Sequence, residues 1–122
     1  MSASPLDETL DLKLQFNADG LIPVIMQDAA DGMVLMFAWM NPEALDATRK
    51  TGLAHFYSRS RGTLWLKGET SGEMFTVQEM RVDCDQDVLL LKVKALGKGN
   101  ACHTGRRSCF YRKMEGDGLG WG

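Results

Sequence analysis

The sequence predicts an α+β fold: a largely antiparallel sheet with one or two short helices. Two observations carry this expectation. One strong helix signature lies at 42–51, and around it runs a series of short β-type segments separated by Gly, Asp and Asn turns. The length of 122 residues adds a third, because it fits one domain whose core needs neither disulfides nor structural metal. Residues 1–122 therefore read as a single domain, with loose ends at about 1–4 and 115–122.

Ser4 before Pro5, followed by Asp7 and Glu8, reads as an N-cap with proline at the first helical position, opening a short helix that ends before Phe16. Asp19-Gly20 leads into a strand at Leu21 to Gln27, and Asp31-Gly32 into the apolar run Met33 to Trp39, so the two strands form a hairpin. Asn41-Pro42-Glu43 sets cap, N1 proline and an early acid, while Arg49, Lys50 and Gly52 close the helix at about 51. Five β-type runs follow: Ala54 to Ser58, Thr63 to Lys67, Met74 to Asp83, Val88 to Leu96 and Cys109 to Lys113.

Composition excludes several classes. Fourteen Lys plus Arg against sixteen Asp plus Glu give a net charge of −2, which provides no field for nucleic acid. No run approaches the roughly 18–20 apolar residues that span a bilayer, and the N-terminus lacks a signal-like apolar segment, so the expected location is cytoplasmic, away from membranes. Three cysteines, an odd number, argue against a disulfide framework.

Asp83-Cys84-Asp85-Gln86-Asp87 sets three carboxylates at two-residue spacing around a thiol. On a strand, Asp83, Asp85 and Asp87 would share one face and Cys84 the other. Three like charges call for a compensating cation, and Mg²⁺ prefers such oxygen ligands; the competing reading is a solvated turn at a strand end. In Cys102-His103-Thr104-Gly105-Arg106-Arg107-Ser108-Cys109, two thiols bracket a glycine turn and two arginines. With Cys84 they offer three thiolates to one zinc, leaving a fourth position open to water, which is the catalytic pattern. The competing reading is three buried apolar thiols. Because alternation points Cys84 away from its own aspartates, a dimer pairing Cys84 of one chain with Cys102 and Cys109 of the other would resolve the geometry. His103 is the better proton carrier of the two histidines, His55 falling in an apolar strand.

Residues 58–72 concentrate Arg59, Arg61 and Lys67 with hydroxyls that include Ser60 and Ser71, and with three glycines, a phosphate-binding set. Arg106 and Arg107 suggest a second anion subsite, hence a substrate with more than one phosphate. A basic solvated hairpin is the plainer alternative.

Together, the segments 58–72, 83–87 and 101–110, with Phe16 to Pro23 and Met36 to Ala44 in the same order, resemble the phosphoribosyl-AMP cyclohydrolases of histidine biosynthesis over roughly residues 16 to 112. The resemblance implies hydrolytic opening of the adenine ring of N1-(5-phosphoribosyl)-AMP between N1 and C6 by zinc-activated water, the third step of the pathway. It implies an intertwined homodimer with one Zn²⁺ and one Mg²⁺ per subunit. Zinc would be held by Cys102, Cys109 and the partner subunit's Cys84, and Mg²⁺ by Asp83, Asp85 and Asp87. The single-domain form is expected. His103 and, as a second candidate, Glu69 would carry protons.

Three other functions compete. A nucleotide deaminase needs His-x-Glu with Pro-Cys-x-x-Cys, and neither pattern occurs. A zinc-stabilised RNA-binding module would use Arg59, Arg61, Tyr57 and Trp65, against the overall acidity. A thiol redox protein would need a reactive cysteine that zinc does not hold.

Overall fold

The computed structural model describes residues 5–122; Ser4, the expected N-cap, lies outside them. The chain runs α1 (Pro5–Glu8), β1 (Ile22–Asp28), β2 (Val34–Met40), α2 (Pro42–Thr51), β3 (His55–Ser58), β4 (Thr63–Leu66), β5 (Phe75–Val82), β6 (Leu89–Ala95), β7 (Arg112–Glu115) and β8 (Gly118–Trp121). No described helix is long and apolar enough to cross a membrane.

Four strands form the central sheet in the order β2-β1-β6-β5. The hairpin β1–β2 pairs antiparallel from Ile22 with Met40 to Gln27 with Val34, and β5–β6 pairs antiparallel from Phe75 with Ala95 to Val82 with Leu89. The pairing is largely antiparallel, as expected, with one exception in the middle. There β1 and β6 run parallel, Val24 facing Leu89 and Asp28 facing Val93, so the sheet is mixed. Alternation places Ile22, Val24 and Met26 of β1 and Leu89, Leu91 and Val93 of β6 on the buried face. Phe56 and Phe75 complete the core against Ala44 and Leu45 of α2.

Helix α2 forms as the sequence dictates. Asn41 Oδ1 accepts the Ala44 N–H at 2.8 Å, Pro42 follows, and Gly52 closes the helix at φ 75°. Thr48, fully buried, donates its hydroxyl to Ala44 O at 2.8 Å and accepts the His55 N–H at 3.0 Å, tying the helix to β3.

At the N-terminal end the short first helix ends before Phe16 as expected, at Glu8, because the N–H groups of Lys13 and Gln15 bond to Gln86 Oε1 and Gln86 O, both at 2.8 Å, in place of helical carbonyls. At the other end Arg112 to Glu115, displaced from the expected Cys109 to Lys113, pair with Gly118 to Trp121 as a two-stranded ribbon, where no element had been placed from 115 onward.

Candidate active site

The ribbon β3–β4 carries the basic segment. Its turn closes through Gly62 N–H to Ser58 O at 2.8 Å, and Arg59 lies over the Trp39 ring at 4.7 Å. Past β4 the chain doubles back. The Lys67 N–H bonds Ala54 O at 3.0 Å, Gly68 adopts φ 88°, and Glu73 ends beneath the turn. The Glu73 carboxylate accepts the N–H groups of Lys98 at 2.7 Å and Asn100 at 3.0 Å, so it brackets the segment that delivers Cys102. A Cβ at Gly97 would collide with that carboxylate, which explains the glycine there. Sequence reasoning missed Glu73; its only signal was its place directly after Gly72.

Between these segments opens a cleft of about 390 Å³. Arg61, Lys67, Glu69, Ser71, Cys102 and His103, all singled out from sequence, line it, joined by Glu73 and Asn100. A shallower hollow shares Arg61 and Trp65 with the cleft and adds Trp39, Arg59 and Ser60. Arg106 and Arg107 line neither. The Trp39 indole N–H is buried without a hydrogen-bond partner among the described residues.

Cys102 is buried and Cys109 exposed, and the two thiols lie close enough to shift each other's titration. Desolvation raises the Cys102 pKa, but donation from the Thr104 hydroxyl at 3.0 Å, from the Thr104 backbone and from the Cys109 thiol outweighs it, so Cys102 titrates below the usual thiol range. Desolvation and then the bond to Cys102 push Cys109 up to about 11. Of the two thiols, Cys102 is therefore the one that deprotonates first. Lys67 donates to Ala101 O at 2.5 Å beside both sulfurs; burial lowers its pKa, and the thiols and Glu73 oppose that shift. Such a pair offers soft donors fit for zinc.

Cys84 lies elsewhere. Among the described residues the three thiols do not converge on one metal-sized site, and the acidic groups acting on Cys84 are Asp85, Asp7 and Asp83. Desolvation first, and then those charges, raise its pKa.

The acidic motif occupies the β5–β6 turn and not a strand, so its convergence has a different origin from the expected alternation. Gln86 takes φ 58°, and ligand oxygens of Asp83, Asp85 and Asp87 come within 4.8 Å of one another. Asp83 accepts the N–H groups of Asp87 at 2.9 Å and Val88 at 3.1 Å. Desolvation raises the Asp83 pKa, and these bonds with the Asp87 side chain bring it below the ordinary range. Asp87, hydrogen-bonded to Asp85 and Asp83, rises to about 6. Hard carboxylate oxygens so placed fit a divalent cation. Below pH about 6 a cation must displace the Asp87 proton. Its affinity is therefore expected to fall by up to about tenfold per pH unit below that point and to be flat above it. Calorimetric Mg²⁺ titration from about pH 4.5 to about pH 8, above the ordinary carboxylate pKa of about 4, reads this directly.

Comparison with known proteins identifies the family. Residues 36–111 match the sequence pattern described as phosphoribosyl-AMP cyclohydrolase. The phosphoribosyl-AMP cyclohydrolase of Hyphomonas neptunium is 59% identical over 116 residues, covering 95% of this chain and 87% of that protein. That of Sphingopyxis alaskensis is 62% identical over 104 residues, covering 85% and 81%, and that of Caulobacter vibrioides is 54% identical over 114 residues, covering 93% and 82%. With more than half of the chain inside the family pattern and relatives this similar over most of their length, the chain belongs to the phosphoribosyl-AMP cyclohydrolase family.

Proposed function

We propose that the chain opens the adenine ring of N1-(5-phosphoribosyl)-AMP in the Arg61–Gly105 cleft of a homodimer, as a cytoplasmic enzyme of histidine biosynthesis. Zinc would be held by Cys102 and Cys109 of one subunit with Cys84 of the partner subunit, and Mg²⁺ by Asp83, Asp85 and Asp87. The observation that carries this reading is the placement of the thiols: Cys102 lines the cleft with Cys109 beside it, and the third sits in the acidic turn away from them.

Zinc bound there supplies Lewis acidity that brings the pKa of water toward neutrality. The protein's own part is to hold the purine and handle protons. Water adds at C6, the N1–C6 bond breaks, and N1 must gain a proton. His103, beside Cys102 on the cleft wall, donates it, and Glu69 on the facing segment is the second group able to carry one. Arg61 and Ser71 in the cleft, and Arg59 and Ser60 in the adjoining hollow, provide cationic and hydroxyl donors for two phosphates at separate ends. Lys67, held on Ala101 O beside the sulfurs, stabilises the thiolate pair.

Ring opening changes the purine chromophore, so ultraviolet absorbance follows it. The expected result is turnover that stops on chelation, returns with added zinc and releases no ammonia. Ammonia release would establish a deaminase, and undiminished turnover after complete zinc removal would overturn the metal assignment.

A further inference from the structure

We infer that Arg106 and Arg107 are positioning residues that anchor the Cys102–Cys109 loop from behind, with Asp28 and Asp31 of the β1–β2 turn as part of the same support. Their carbonyls already set the first thiol. Cys102 N–H donates to Arg106 O at 3.0 Å and Ala101 N–H to Arg107 O at 3.1 Å, so moving either arginine moves Cys102.

Each arginine side chain is fixed at its far end. Arg107 Nη2 reaches Asp28 Oδ2 at 3.1 Å and Asp31 Oδ2 at 2.8 Å. Both carboxylates are set beforehand by the turn. Asp28 Oδ1 accepts the Ala30 N–H at 2.7 Å and Asp31 Oδ1 accepts the Met33 N–H at 3.0 Å, which leaves the second oxygen of each aimed at the guanidinium. An isolated surface ion pair contributes little, but two preset acceptors on one guanidinium form a network with defined geometry. Arg106 lies 4.1 Å from the Tyr111 ring centre and 5.3 Å from that of Trp121, and the two rings stack at 6.1 Å. The β7–β8 ribbon brings Trp121 to this stack. The second thiol is secured on β2: Ser108 Oγ donates to Val34 O at 2.7 Å and Cys109 N–H to Leu35 O at 2.8 Å. With its back fixed, the loop turns His103 and Gly105 to the cleft. Groups that orient metal ligands in this way govern metal retention as well as rate.

The inference rests on Cys102 and Cys109 as metal ligands, and the test separates the two ideas. Zinc release to a chromogenic chelator, the thiolate-to-metal absorption band of the cobalt-substituted protein, kcat, KM and melting temperature are measured for the parent, Arg107→Gln, Arg107→Lys and Asp28→Asn/Asp31→Asn. Arg107→Gln and the aspartate pair are each expected to speed metal release by about tenfold or more and to lower kcat, with KM within about twofold of the parent. Combining them should add little, because they remove one interaction, and Arg107→Lys should restore part of the loss. If Arg107→Gln raises KM while metal release and kcat stay at the parent values, and the aspartate pair is silent, Arg107 is a phosphate ligand and the inference is overturned. A parent lacking the thiolate band overturns the metal assignment and this inference with it. A parent with the band and variants indistinguishable from it overturns this inference alone. Should the paired variant fail to fold, Asp31→Asn alone reads the same quantities.

Discussion

Replacing Cys102 with alanine is expected to lower kcat/KM by on the order of 10³-fold or more while the protein remains folded. The sulfur is 7% exposed and sits where the cleft wall meets the core, yet its removal costs the fold little, about 1–2 kcal/mol for a small buried group. Its one side-chain hydroxyl donor, Thr104, is exposed and turns to solvent without penalty. Chemically the loss is severe. Cys102 is the member of the thiol pair whose pKa the surrounding donors lower, and Cys109 alone, raised to about 11, offers a poor ligand at neutral pH. Zinc content measured alongside kcat/KM should fall in parallel. A folded variant within tenfold of the parent, on the scale of about 1.4 kcal/mol, would remove the thiols from the chemistry.

Gly68→Ala is expected to cost about 3 kcal/mol or more in stability. Gly68 combines φ 88° with a Cβ position that would overlap the Glu73 carbonyl group and crowd Met74 N, all of it backbone that cannot swing aside. The turn beneath the cleft would have to open, and with it the Glu73 bracket on Lys98 and Asn100. Gly72→Ala is the control. At φ 80° its Cβ would meet nothing within 4 Å, so only the left-handed strain applies, about 1–2 kcal/mol. Chemical denaturation of both variants separates collision from strain. Equal losses would show that the overlap at Gly68 relaxes freely.

The elements legible in the sequence were those fixed by local chemistry. Helix α2 lies where Asn41, Pro42 and Gly52 place it, and the β1–β2 hairpin follows Asp31-Gly32, because caps and turns act within a few residues. The parallel pairing of β1 with β6 was not legible, since two apolar alternating runs more than sixty positions apart carry no mark of direction. The three carboxylates of the acidic motif do gather, but not by the expected alternation. Two-residue spacing suggested a strand, whereas a left-handed Gln86 and a turn gather the carboxylates. Six residues named from sequence do line one cleft, because motif residues announce chemistry by type. Glu73 escaped notice because a carboxylate that bonds backbone N–H groups looks in sequence like any surface acid. The side-chain partners of Arg106 and Arg107, namely Asp28, Asp31, Tyr111 and Trp121, were not legible because the fold and the C-terminal ribbon supply them.

The central claim, a zinc site shared between subunits, is tested most directly by mixing two inactive variants. Cys84→Ala and Cys102→Ala are unfolded together and refolded at equal concentration, and kcat is measured against the parent treated alike. In a mixed dimer one site draws Cys102 and Cys109 from one chain and Cys84 from the other, all intact, while the second site lacks both. Random pairing then predicts recovery of about a quarter of parental activity. Mixed dimers that form, as shown by a tag on one variant, but stay inactive would contradict a site built from two chains.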